Sequence, residues 1–122
     1  NKIIHPVNFA VKKLIRSFMK EREILMYLDL HGHSRRKNIF MYGNNIKERP
    51  HASRVYPYIM SKLCDFFSFE QSRFSMNRSK EGTARIAMLK ELGIPNIFTM
   101  EASFCGADMG ALKDTHFTTE AL

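Results

Sequence analysis

Residues 25–34 read LMYLDLHGHS, and the fold turns on them. Leu25, Met26, Tyr27, Leu28 and Leu30 make a short apolar and aromatic run with turn-prone residues after it, the pattern of a buried strand. His31, Gly32, His33 and Ser34 stand where that run ends. Open α/β sheets place ligands and chemistry at the ends of their central strands. A neutral imidazole there suits zinc, and Gly32 admits a close backbone approach. The strand period of two sends Asp29, His31 and His33 to one face. That trio is either a metal ligand with an orienting carboxylate beside it or a polar cluster facing solvent.

Outward from this strand the chain alternates. Residues 7–23 carry Val7, Val11, Leu14, Ile15, Phe18 and Met19 at helical spacing, with Asn8 as a candidate cap. The other face is basic (Lys12, Lys13, Arg16 and Lys20) and reads as a solvated surface. A second strand is expected at residues 39–42, ended by Gly43. Pro57 fits the first position of a helix reaching about residue 66. Residues 73–77 alternate enough to form a strand. Residues 84–92 read as a short buried helix, with Gly93 as its C-cap and Pro95 blocking continuation. Residues 97–102, IFTMEA, are a further strand, and a last helix is expected near Asp114, Thr115 or Thr118. Strands alternating with helices predict an α/β sheet with helices on both faces.

Glu101 lies inside that last strand pattern. A carboxylate there is costly to bury unless it is paired or used. It is either an edge glutamate facing solvent or a working group. A carboxylate and an imidazole from two strands are the parts of metal-assisted hydrolysis, in which the carboxylate takes the proton of the attacking water.

The 122 residues fit one domain or part of one. The chain starts with Asn1 and stops at Leu122, which reads as a piece of a longer protein. The 44% apolar content, with ten Phe and eight Met, argues against disorder. No apolar run reaches the roughly 18 residues of a membrane span. Cys64 and Cys105 have no zinc-ribbon spacing, and reduced thiols in a cytosolic protein are the simpler account. The net charge of +7 favours an anionic partner. Charge alone leaves nucleic acid and acidic polypeptide open, but no arginine-rich tail, zinc-finger spacing or glycine-aromatic RNA-binding strand is present.

Three blocks carry a resemblance: DLHGHSRRKNIFMYG at residues 29–43, KEGTARIAMLKELGI at 80–94 and FTMEASFCG at 98–106. In order, spacing and content they look like the zinc metallocarboxypeptidases, and the closer likeness is to the cytosolic branch, which shortens polyglutamate tails on tubulin and similar acidic proteins. The resemblance implies a mixed β-sheet with helices on both faces, here as the C-terminal portion of a catalytic domain spanning residues 1–122. It implies that Zn2+ is the cofactor, His31 a zinc ligand and Glu101 the general base. His33 and Ser34 would be supporting residues. Arg85, with Lys80 nearby, would meet the terminal glutamate side chain. The implied partners are acidic C-terminal tails, and the implied location is the cytoplasm. Two departures matter. The His-x-x-Glu motif that supplies the family's other zinc ligands is missing, as is the early arginine and asparagine segment that anchors substrate. The expectation is an active parent and an inactive isolated segment; a binding module that holds acidic tails without cutting them is the alternative.

Overall fold

The computed structural model describes residues 2–120. Three helices and three strands follow in the order α1 (Pro6–Phe18), β1 (Tyr27–His33), β2 (Ile39–Tyr42), α2 (Ala52–Leu63), α3 (Ala84–Leu92) and β3 (Ile97–Ser103), with a 3-10 turn at Arg78–Lys80. The sheet order is β1-β3-β2. β1 runs parallel to β3, while β2 runs antiparallel to it. The sheet is therefore mixed, as the resemblance implies.

β3 is central because its side chains can be buried on both faces. Ile97 and Phe98 are fully buried on opposite sides. Ile97 meets Ile15 of α1, Met88 and Leu92 of α3, and Ile94, with Tyr27 against them. Phe98 meets Ile39, Met41 and Phe67, with Tyr56 and Met60 of α2 against them. Helices thus cover both faces. Each fully buried aliphatic or aromatic side chain here contributes about 1.5–3 kcal/mol, so the two clusters dominate the sheet's stability.

Several boundaries differ from the sequence reading, each for a physical reason. β1 does not end before the histidines but continues to His33, because the parallel ladder pairs His31 with Glu101 and His33 with Ser103. Helix α1 starts at Pro6, whose missing N–H costs nothing there. Asn8 lies inside the helix, not at its cap. The outer face of α1 is not wholly solvated, since Lys12 and Arg16 both pair with Glu91 of α3. Helix α2 begins five residues before Pro57, which sits fully buried within it. Residues 73–77 form no strand. Arg73 makes a single bridge to Tyr42, and the Ser75 carbonyl instead accepts a bond from the Arg85 guanidinium. The last helix expected near Asp114, Thr115 or Thr118 does not form among residues 114–120, which have turns at 114 and 119–120 and irregular backbone between; positions 121 and 122 lie outside the described residues. Gly93 caps α3 at φ 69°, as its position predicts.

Candidate functional site

β1 and β3 fix the centre of the site. In the ladder His31 is the direct cross-strand partner of Glu101. Paired residues of a parallel ladder share a face, and the period of two adds Asp29, His33 and Thr99 to it. From the other side of β3, β2 sets Phe40 against Glu101 and Tyr42 against Thr99. This face opens into a cavity of about 640 Å³ whose lining includes His31, Glu101, Lys80 and Arg85. The four residues singled out from the sequence therefore line one space, although they come from three separate parts of the chain.

The histidines differ in surroundings. His31 is half exposed, and its Nε2 lies 3.0 Å from Asp29 Oδ2. That contact fixes the ring and leaves Nδ1 for something else. A carboxylate behind a histidine is the arrangement that orients an imidazole ligand. His33 is more enclosed; its Nδ1 lies 3.6 Å from Glu101 Oε2. Its ring meets Phe40 edge to face, with centroids 5.0 Å apart. Glu101 is 8% exposed, so its carboxylate is nearly sequestered from water on the cavity floor.

Arg85 is tied firmly into the protein. It enters the cavity wall from the first turn of α3 yet is 7% exposed. Its Nη1 donates to the Gly43 carbonyl at 2.7 Å and to Asn44 Oδ1 at 2.9 Å. Its Nη2 donates to the Ser75 carbonyl at 3.1 Å. Asn44 Nδ2 in turn donates to the Arg85 carbonyl at 2.9 Å. Burial lowers the guanidinium pKa from its ordinary value, and nearby Tyr42 acts in the opposite sense. A guanidinium carries five N–H donors, and three of them are committed to the protein. Lys80, in the 3-10 turn, is exposed and lies at the cavity edge. Thr83 and Ala84 place the start of α3 on the same wall, and a helix N-terminus favours negative charge.

The fit to a zinc ion is partial. His31 with Asp29 behind it has the chemistry of one ligand. Among the described residues, however, no group of three or more His, Cys, Asp or Glu side chains is placed to hold a metal ion. The segment offers one ligand and does not complete a set.

Sequence reasoning missed Tyr42, Asn44, Ser75 and Thr99. Tyr42 and Thr99 were legible in principle, since each lies two residues from a site-facing neighbour on its own strand. Asn44 and Ser75 gave no signal, because their partner Arg85 is remote in sequence.

No family model matches the chain. Curated relatives do. Cytosolic carboxypeptidase 3 of Bos taurus is 46% identical in an alignment of 122 positions that covers 96% of this chain and 12% of that protein. Cytosolic carboxypeptidase 2 of Danio rerio is 47% identical in an alignment of 120 positions that covers 93% of this chain and 16% of the relative. Cytosolic carboxypeptidase 1 of Xenopus laevis is 33% identical in an alignment of 138 positions, gaps included, that covers all of this chain and 11% of the relative. The likeness to this branch, carried in the sequence by three blocks, thus extends over nearly the whole chain. The chain spans between a tenth and a sixth of the length of these relatives.

Proposed function

We infer, from a chain similar over nearly all its length to a segment of the cytosolic carboxypeptidases, that it is the C-terminal portion of a zinc-dependent metallocarboxypeptidase catalytic domain. The parent protein removes C-terminal residues, glutamates in the first place, from acidic protein tails such as those of tubulin, and does so in the cytoplasm. The observation that supports this best is the pairing of His31 with Glu101 across the ladder, on the face that also receives Arg85 and Lys80.

Each residue then has a defined task. The Glu101 carboxylate accepts the proton of the water that attacks the scissile carbonyl. Asp29 holds the His31 ring so that Nδ1 is presented as a ligand. The Arg85 guanidinium and the Lys80 ammonium hold the carboxylate of the terminal side chain. A zinc ion at such a site supplies Lewis acidity; its other ligands would come from parts of the parent outside this chain.

The membrane plays no part in this reading, and no helix among the described residues is long and apolar enough to cross one. The basic composition supports capture of an acidic tail by long-range attraction.

The test is release of C-terminal glutamate from an acidic peptide by the full-length protein and by residues 1–122 alone, each with added zinc. The full-length protein is expected to be active, and Glu101→Gln to lower its kcat by at least about 100-fold. The isolated segment is expected to be inactive. An active Glu101→Gln protein would remove the base from the scheme. Hydrolysis by the segment that vanishes in Glu101→Gln would overturn the claim that it is incomplete.

A further inference from the structure

Glu101 presents a puzzle of orientation. Its carboxylate is nearly buried on the wall of the cavity, so the direction in which its oxygens point decides what it can do there. The His33 side chain is set against it, with Nδ1 3.6 Å from Oε2. That separation exceeds a closed hydrogen bond and is of the kind that catalytic pairs show before substrate draws them together. A glutamate carboxylate sits at the end of three rotatable side-chain bonds, so a neighbour is needed to fix its direction.

His33 itself is fixed. Its ring stands edge to face against Phe40 at an interplanar angle of 85°. Phe40 is fully buried and is the β2 register partner of Glu101. On its other side it packs edge to face with Tyr42, and the Arg36 guanidinium lies over its ring at 5.3 Å. β1 holds the His33 backbone through pairing with Ser103, and the Phe104 N–H donates to the His33 carbonyl at 2.9 Å. The imidazole is therefore held from the backbone and from the ring face, with one nitrogen toward the glutamate.

We propose that His33 is the positioning residue of Glu101: it donates Nδ1–H to Oε2 and aims the other carboxylate oxygen into the cavity. The role rests on the reading of Glu101 as the base, and it adds a residue to that scheme. It requires a donor at Nδ1, not a change of charge. A group that acts by aiming another changes turnover more than substrate affinity. Misplacement of a reacting group by about 1 Å costs up to about 100-fold in rate.

Two substitutions separate donation from packing. His33→Phe keeps an aromatic ring against Phe40 and removes the donor. His33→Asn keeps an amide N–H near the Nδ1 position and removes the ring. In the full-length protein, His33→Phe is expected to lower kcat by about 10- to 100-fold while KM stays within about twofold. His33→Asn is expected to recover most of that loss. His33→Phe added to Glu101→Gln is expected to change nothing further. A wild-type kcat in His33→Phe, or equal impairment of the two variants, would overturn the proposal and leave His33 a packing residue. If the wild-type full-length protein releases no C-terminal residue, the enzyme reading itself fails. The pair is then judged by thermal unfolding of His33→Phe, Glu101→Gln and the double variant. Non-additive Tm shifts would uphold the contact, and additive ones would dismiss it.

Discussion

Replacing Arg85 with alanine removes three hydrogen bonds at once and exposes what the residue does for stability. The bonds to Gly43, Asn44 and Ser75 are charge-assisted and sit in a nearly buried setting. Bonds of this kind contribute about 1.5–3 kcal/mol each, a gross loss of roughly 4–9 kcal/mol. Two effects reduce it. The variant no longer has to bury a guanidinium, whose lowered pKa reports that cost. The cavity beside Arg85 also lets water reach some of the abandoned acceptors. Asn44, fully buried, is less easily rehydrated. The net expectation is a loss of about 2–4 kcal/mol, or roughly 8–16 °C in Tm for a chain of this size. Arg85→Lys keeps the charge but offers one donor direction in place of a fork, so it should fall between alanine and wild type. The assay is equilibrium urea unfolding of the 122-residue chain followed by far-ultraviolet circular dichroism. If both variants unfold within about 0.5 kcal/mol of wild type, the bonds to Gly43, Asn44 and Ser75 do not organise the cavity wall. A consequence is that activity lost in Arg85→Ala would mix structure with substrate binding. Lys80, which forms no ion pair among the described residues, is the cleaner position for probing affinity.

Two further outcomes follow from backbone and burial. Gly106 has φ 86°, and a Cβ there would lie 1.7 Å from the Thr115 carbonyl oxygen; Gly106→Ala should cost about 2–4 kcal/mol in the same unfolding assay. The atoms nearest to a Cβ at Gly32 belong to the ring of Phe104, which is 70% exposed and can swing away, so Gly32→Ala should cost less than about 1 kcal/mol. Burial chiefly, and the Asp29 carboxylate second, raise the pKa of Tyr27 above its usual value. The folded state thus favours the neutral phenol. Its contribution is complete below about pH 10 and is lost as pH rises through the higher folded value. Comparing urea midpoints at about pH 8 and pH 11 should show a smaller alkaline loss in Tyr27→Phe than in wild type; equal losses would count against the assignment.

Much of the architecture could be read from local pattern alone. β2 and α3 fall at the expected residues, and β3 extends one residue further, because each couples an apolar run to a clear stop such as Gly43 or Gly93. The misreadings arose where remote groups decide. Pro57 looks like a helix start, yet tertiary burial holds it inside α2 at the loss of one backbone bond. Residues 73–77 look like a strand, but Arg85 takes the Ser75 carbonyl. For the site, face-sharing of Asp29, His31 and His33 followed from strand periodicity. The His31–Glu101 register did not, since no local feature of either strand encodes which residues will lie opposite. Likewise the resemblance suggested Arg85 as a residue for a ligand, and nothing local in the sequence showed that it braces the chain.

The sheet order has a consequence for biosynthesis. β1 and β2 do not pair with each other; each bonds to β3, which is translated after both. During elongation at roughly 5–20 residues per second, the two early strands therefore leave the ribosome before the strand that joins them exists, although β2 can already bond to residues 66–73 on its other edge. Assembly waits for the keystone strand, and that same strand carries Glu101. A transcript interrupted before residue 97 would lack more than its carboxylate: its strands would have nothing to join them.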